Sequence, residues 1–518
     1  MAPAALDRPP TAYDLVEYPA RPRATTHPDH LATIARLFGL ETAEASHARV
    51  LEVGCSDGGN LVSMALSLPE SRFLGVDAAL SAIEEGTRVV RELGLSNLEL
   101  RCADLLDADA TGFGTFDYVI AHGVYSWVPE AVREKLLAVC KASLAPLGVA
   151  FISYNTYPGC YPRRMIREMM LFHVRGVSDP EERIRAALEF LAHVSQLQPE
   201  GSPSRAALDH ELKQLAGAGT SFVYHDAIAP ENVPFYFEEF AADAARHGLA
   251  FLSEAQFFES FEAARRSGLA RSIPEGAYAD IVRAEQYLDF LKARSFRQTL
   301  LVHDGVTVDR RLDPRRVQRL FACGRLVRTQ PEAAGDEGAE VEFQGPKGRR
   351  ARTSDPVAKR AFDVLNDAWP AALAFPELLR RTVDRSDLSR SADEIATALG
   401  SALIDGYASN VLELRASPWP FTTSPGERPL VSPLVRLQAR SDGLLTNLRH
   451  ETVSFDVPLG RKLLGLMDGT RTRGDLIEVL ERDSAANRSA GAPPPGELAL
   501  AQLERMIAEL AKLAVFVA

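Results

Sequence analysis

The run VLEVGCSDGGN, residues 50–60, decides the fold. An apolar, β-branched stretch gives way to a glycine-rich turn and then to a helix start, the pattern of a strand in a parallel sheet with a helix returning over it. Glycine at such a turn lets the backbone approach a ligand closely. The helix N-terminus that comes next presents unpaired N–H groups and the positive end of the helix dipole. The dinucleotide fingerprint G-x-G-x-x-G is not met, because Gly54 and Gly58 stand four apart with Glu52 before them. The G-K-[ST] of a phosphate loop is absent as well.

Around this run the chain alternates strand-like and helical segments from Arg49 to Ser153. Candidate strands are 49–54, 72–77, 98–104, 116–123 and 149–155, with helices near 60–68, 80–93 and 130–145 between them. Ahead of them THPDHLATIARLFGL (26–40) has the cap and apolar spacing of a helix. After Gly159 the periodicity turns helical, as in YFEEFAADAARHGLAFLSEAQFFESFEAARRSG and YADIVRAEQYLDFLKAR. TQPEAAGDEGAEVEFQ (329–344) is the best linker, and AANRSAGAPPPGE (485–497) reads as a loop. At 518 residues the chain should divide into several domains by the rule of roughly 150 residues each. The expected divisions are 1–160 for the α/β domain with an N-terminal lid, 161–330 for a helical middle domain, and 345–420 and 430–518 for two α+β units.

Composition narrows the function. A net charge of -12 speaks against general affinity for nucleic acid and suits a basic or neutral substrate. Five scattered cysteines lack C-x-x-C spacing, which points to a reducing compartment and gives no metal site. The start MAPAALDRPPTAYDLVEYP lacks the plan of a signal peptide, and no apolar run approaches the roughly 18 residues of a membrane span. The expected location is the cytoplasm, without membrane insertion.

The pattern E-x-G-x-x-x-G formed by Glu52, Gly54 and Gly58 resembles the first motif of class I S-adenosylmethionine methyltransferases. Such a cofactor carries a sulfonium cation, a carboxylate and an amine, so an acid below the turn can hold its amino-acid end. Asp77, followed by Ala78, ends the second strand where an acid bonds ribose hydroxyls in doubly wound folds. Asp104, followed by Leu105, ends the third, and His122 the fourth. Polar residues at the carboxyl ends of four successive strands are what a cleft at the switch point requires. The turn residues Cys55, Ser56 and Asp57 complete the cofactor set, with Tyr18 and His27 closing it from the lid. Plainer readings stand beside these: Glu52 as a cap or arginine partner, Asp57 as the N-cap of the next helix, Cys55 as a small filler, His122 as a structural histidine.

The segments after the fourth and fifth strands bear on the acceptor. AHGVYSWVP (121–129) has no N/D-P-P-Y/F element of DNA amino-methyltransferases and no Pro-Cys nucleophile. Several stretches resemble the bacterial, rickettsial-type protein lysine methyltransferases, which carry a methyltransferase regulatory domain: YDLVEYPARPRATTHPDHLATIARLFGL, LEVGCSDGGNL, SYNTYPG, PFYFEEFAADAARHGLAFLSEA, QYLDFLKARSFRQTLLVH and LTNLRHETVSFD. The resemblance covers nearly the whole chain. It implies a Rossmann-like α/β cofactor domain, a helical middle domain, a C-terminal region of winged-helix character, and methyl transfer to a lysine amine. SFVYHDAIAP departs from the family's A-H-E-Y-L, keeping His225 but placing Asp226 where the glutamate stands.

The last unit also resembles winged-helix peptide-recognition elements through GRKLLGLMDGTRTRGDLIEVLE (460–481). Such a domain can add an extended peptide to a strand edge, while a homodimerisation or packing role is the alternative. Transfer to an amine needs alignment and an unprotonated nucleophile, which an aromatic, desolvated pocket favours. The candidates are Tyr125, Trp127, Tyr154, Asn155 and Tyr157, with His225 and Tyr236 from the middle domain. The expected substrate is a protein or peptide amine. A precursor peptide or natural product, with amine or carboxylate acceptor, and a non-catalytic binding module are the competing readings.

Overall fold

The structure, a computed structural model, describes residues 12–16, 18, 20–330, 338–384, 390–455, 457–486 and 495–518. Seven strands form its central sheet: β1 (Arg49–Val53), β2 (Arg72–Asp77), β3 (Leu98–Cys102), β4 (Phe116–Ala121), β5 (Leu144–Asn155), β6 (Leu249–Glu254) and β7 (Phe296–His303). Their order is β3-β2-β1-β4-β5-β7-β6, with β1 to β5 parallel and β7 antiparallel between β5 and β6. The order reverses between β1 and β4, so both strands deliver their carboxyl ends to one crevice. Both faces are covered, which is why β1 and β4 are mostly apolar along their length. Helices α1 (Ala12–Leu15), α2 (Pro28–Leu37), α3 (Gly59–Ser67), α4 (Leu80–Glu92) and α5 (Glu130–Ser143) flank the first five strands.

The sheet crosses the boundary expected at residue 160. Residues 249–254, inside a stretch whose spacing reads as helical, form β6, and residues 296–303 form β7 between it and β5. Leu249, Phe251 and Leu252 are buried in this sheet, and tertiary packing overrides the local period. Under β7 lies an ion cluster: the fully buried Arg297 bonds Glu254 at 2.6 Å, Asp289 at 2.9 Å and Glu285 at 3.0 Å. It ties both late strands to the helix Ile281–Lys292.

Between β5 and β6 the chain makes α6 (Tyr161–His173), α7 (Pro180–Leu197) and α8 (Pro203–Ala216), packed around Ile166, Met170, Leu191 and Leu208. Asp179 and Ser202 cap α7 and α8, each followed by proline at the first position. A single π-helical turn, Val223–Ala227, then brings His225 and Asp226 back to the sheet.

The C-terminal part holds two small three-stranded sheets and the helices Pro356–Ala368, Phe375–Asp384 and Ala392–Ala408. Within the expected linker, residues 331–337 lie outside the described residues, whereas Val341–Gln344 is a strand. The last unit packs Leu463, Leu464, Leu476, Leu480 and Leu503 around Phe516. Gly469 takes φ +81 at the turn, and Thr472 and Asp475 cap each other's backbone N–H groups at the start of the next helix. Of the expected loop at 485–497, residues 487–494 lie outside the described residues, as do residues 1–11. Among the described residues no helix is long and apolar enough to cross a membrane.

Candidate active site

The crevice at the β1–β4 switch point opens into a cavity of about 460 Å³. Its floor is the turn after β1. Gly54 takes φ +75, and a methyl group there would overlap the Val124 side chain, so the position needs glycine. Asp77 fixes the turn: one oxygen accepts the Ser56 N–H at 2.8 Å and the other the Ala79 N–H at 2.9 Å. Burial raises its pKa, and these N–H bonds oppose the rise. The Ser56 hydroxyl donates to the Tyr18 carbonyl at 2.7 Å, bringing the N-terminal segment over the cavity. Of the residues expected to bind cofactor, Tyr18, Gly54, Ser56, Asp77 and Ala78 line this cavity, as do Asp104, Leu105 and His122.

His122 is oriented by Ser153, the first residue of SYNTYPG, which is not among the expected site residues. The Ser153 hydroxyl accepts the Gly123 N–H at 2.8 Å and lies 2.9 Å from His122 Nδ1. Burial lowers the His122 pKa to about 3, aided by Arg23, so the ring is neutral.

Five expected cofactor residues stand off the cavity wall. Glu52 is buried beneath the turn, where Oε1 accepts from Asn60 at 2.9 Å and Oε2 has no partner among the described residues. Desolvation pushes its carboxyl up to about 8, against the Asn60 bond. Cys55 faces the core beside Leu61 and Gly75, which is its filler reading. Asp57 is not the N-cap of α3, a place Gly58 takes; one residue earlier, its side chain accepts the Gly59 N–H at 2.9 Å and the Ala20 N–H at 3.1 Å. Gly58, at φ +71, sits against Leu100 at the start of α3. His27 caps α2 through Nδ1 and packs edge-on to His450, away from the cofactor cavity.

The acceptor candidates divide in the same way. Along β5 successive side chains leave opposite faces. Asn155 therefore reaches a second cavity of about 210 Å³, where its Nδ2 donates to Asn232 at 2.7 Å. Tyr154 points the other way and stacks on Phe240 in the core, its hydroxyl 3.1 Å from Thr299. Tyr125 is core as well, donating to Asp243 at 2.7 Å. Tyr157 and Tyr236 join Tyr161 in a separate aromatic cluster, with Arg164 donating to the Tyr157 hydroxyl. Trp127 is common to the cofactor cavity, the second cavity and a third of about 470 Å³. His225 lines the first and third, stacked on Tyr13, with Nε2 donating to the Val16 carbonyl at 2.7 Å.

The residue most clearly missed as a site is Asp226. It lies on the wall shared by the cofactor cavity and the second cavity. Its Oδ2 is buried without a hydrogen-bond partner among the described residues. Desolvation pushes its carboxyl up to about 6, opposed by Arg163, Arg23 and Tyr18. Tyr13, Arg23 and Arg163 also border these cavities and are not among the expected site residues.

The donor set suits an adenosyl group with an amino-acid tail: carboxylates at the ends of β2 and β3 for hydroxyls and an exocyclic amine, apolar walls from Val53, Val76 and Leu105, and a close backbone approach at Gly54. Comparison with known proteins agrees. Family models match a methyltransferase domain over residues 50–148, a predicted methyltransferase regulatory domain over 219–303 and the PKMT C-terminal winged helix domain over 427–514. An uncharacterised protein of Rickettsia prowazekii is 31% identical over 481 residues, covering 90% of this chain and 85% of its own. A second from that organism is 36% identical over 236 residues, which are 45% of this chain and 94% of its own. Among solved structures, PKMT2 from Rickettsia typhi superposes with TM-score 0.81 at 25% identity, over 97% of this chain and 100% of that one, and has also been solved in complex with AdoHcy. The chain belongs to the rickettsial-type PKMT family and is an S-adenosylmethionine-dependent methyltransferase of class I fold with a regulatory domain.

Proposed function

We propose that the enzyme methylates amines of a protein or peptide, with the lysine side chain as acceptor. The observation that carries this reading is the unpartnered oxygen of Asp226 at the junction of the cofactor cavity and the second cavity. A buried carboxylate oxygen without a donor costs free energy, and an amine N–H supplies the missing bond. The cofactor, when bound, supplies a methyl group on a cationic sulfur. Asp77 and Asp104 would hold its ribose hydroxyls and its exocyclic amine, and Gly54 and His122 line the same cavity. Arg23, on the adjoining wall, is suited to the tail carboxylate.

On the acceptor side the protein supplies position and desolvation. Trp127, Tyr13, Tyr18 and His225 present ring faces or edges to a cation. A lysine of pKa about 10.4 in water loses its proton more readily in such surroundings, and Asp226 holds an N–H of the neutral amine. Asn155, held by Asn232, shapes the second cavity.

The reading is tested by Asp226→Asn. Label from methyl-labelled cofactor into the proteins of a bacterial extract should fall at least tenfold. Binding of S-adenosylhomocysteine should stay within about threefold of wild type. Full incorporation by the variant, or equal loss of cofactor binding, would remove the role of Asp226.

A further inference from the structure

The stretch LTNLRHETVSFD enters the cofactor domain from the C-terminal winged-helix unit. Its hairpin, Leu445–Thr446 paired with Thr452–Val453, is closed by a turn built around Asn447. The Asn447 Oδ1 accepts the Arg449 and Glu451 N–H groups at 3.0 and 2.9 Å. At its tip His450 takes φ +59, a conformation unusual for a side-chain-bearing residue. That strain is accompanied by a buried contact nearly four hundred residues away in sequence.

His450 Nε2 donates to Asn60 Oδ1 at 2.8 Å, and Nδ1 lies 3.0 Å from the Ser63 hydroxyl. Asn60 is the second residue of α3, directly after the cofactor turn. Its Nδ2 donates to Glu52 at 2.9 Å and to Thr26 at 3.1 Å, and its Oδ1 also accepts the Arg23 N–H at 3.0 Å. The amide thus joins the strand below the turn to the N-terminal segment above it, and that segment carries Tyr18 and Arg23 onto the cavity walls. With Nε2 donating, the neutral ring accepts the Ser63 proton at Nδ1, so both nitrogens are used. The facing groups are His27, edge-on at 5.3 Å, and the Arg415 guanidinium near both rings, which favours the neutral state.

We infer that His450 is a positioning residue for cofactor binding, which orients the Asn60 amide and through it the lid segment over the cofactor turn. The winged-helix unit then completes the cofactor site. This does not depend on which acceptor is methylated.

Two polar variants separate positioning from packing. The side-chain amide of His450→Gln takes the place of Nε2 and can still donate to Asn60. That of His450→Asn is shorter and reaches only Ser63. S-adenosylhomocysteine binding by calorimetry should weaken about tenfold in His450→Asn and stay within about threefold of wild type in His450→Gln, with both melting cooperatively. Wild-type affinity in folded His450→Asn would overturn the inference. Equal weakening in the two variants would also overturn it, because a contact that serves only domain packing is not rescued by the longer amide.

Discussion

Glu52 sits beneath the cofactor turn, and its chemistry is set by burial. Its carboxyl is pushed up to about 8 by desolvation, while the unfolded chain keeps the ordinary value near 4.3. Between these values the folded state binds the extra proton, so this group's contribution is full below about pH 4 and is lost as pH rises towards 8. Glu52→Gln should therefore raise the melting temperature of the cofactor-free protein at pH 8.5 relative to wild type, with little gain at pH 4.5. An equal gain at both values would contradict the buried, neutral carboxyl. Asp77 is different, because it fixes the turn and faces the cavity. Removing a charged group that accepts two backbone N–H bonds costs roughly 1.5–3 kcal/mol per bond at the upper range, so Asp77→Ala should weaken S-adenosylhomocysteine binding at least tenfold by calorimetry. Burial pushes the Asp226 carboxyl up to about 6, and its ionised form is the better acceptor. The kcat/KM for methyl transfer should fall as pH drops through about 6, and Asp226→Asn should lack that limb.

At the scale of elements, strands were legible where burial on both faces makes them apolar and where glycine ends them. β1 to β4 fall within two residues of the expected limits. β6 was not legible, because LAFLSE has the same local spacing as the helix before it and becomes a strand only by pairing with β7. The acceptor side was half legible for a related reason: the SYNTY run names the right strand end, but the pleat sends Ser153 and Asn155 to the cavity side and Tyr154 into the core. Asp226 was visible in the sequence only as the substitution in the H-E pattern, since its burial depends on the π-helical turn. The two late strands hang on the Arg297 cluster. Arg297→Met leaves Glu254, Glu285 and Asp289 without their shared cation, and breaking such a buried set costs about 3–5 kcal/mol. The expected outcome is a lowered melting temperature or loss of soluble protein, and wild-type melting would contradict a structural role for the cluster.

For the whole molecule, the contacts that reach the cofactor turn come from both ends of the chain. Asp29 accepts from Arg415 at 3.2 Å and from the Ser417 hydroxyl, and His450 bonds Asn60. His27 and His450 are kept neutral by burial at this junction, both below the ordinary value near 6.5. Each contributes stability that is full above about pH 6.5 and lost as pH falls towards the folded value. Wild type should therefore lose more melting temperature between pH 7 and pH 5 than His450→Gln, and equal losses would exclude a buried neutral ring. The central claim concerns the acceptor atom, and the most direct measurement is mass spectrometry of a bacterial protein extract after incubation with the enzyme and methyl-deuterated cofactor. The account predicts label on lysine Nζ of one or a few proteins or peptides. Label confined to carboxylates or small molecules, or none at all from an enzyme that binds the cofactor, would contradict it.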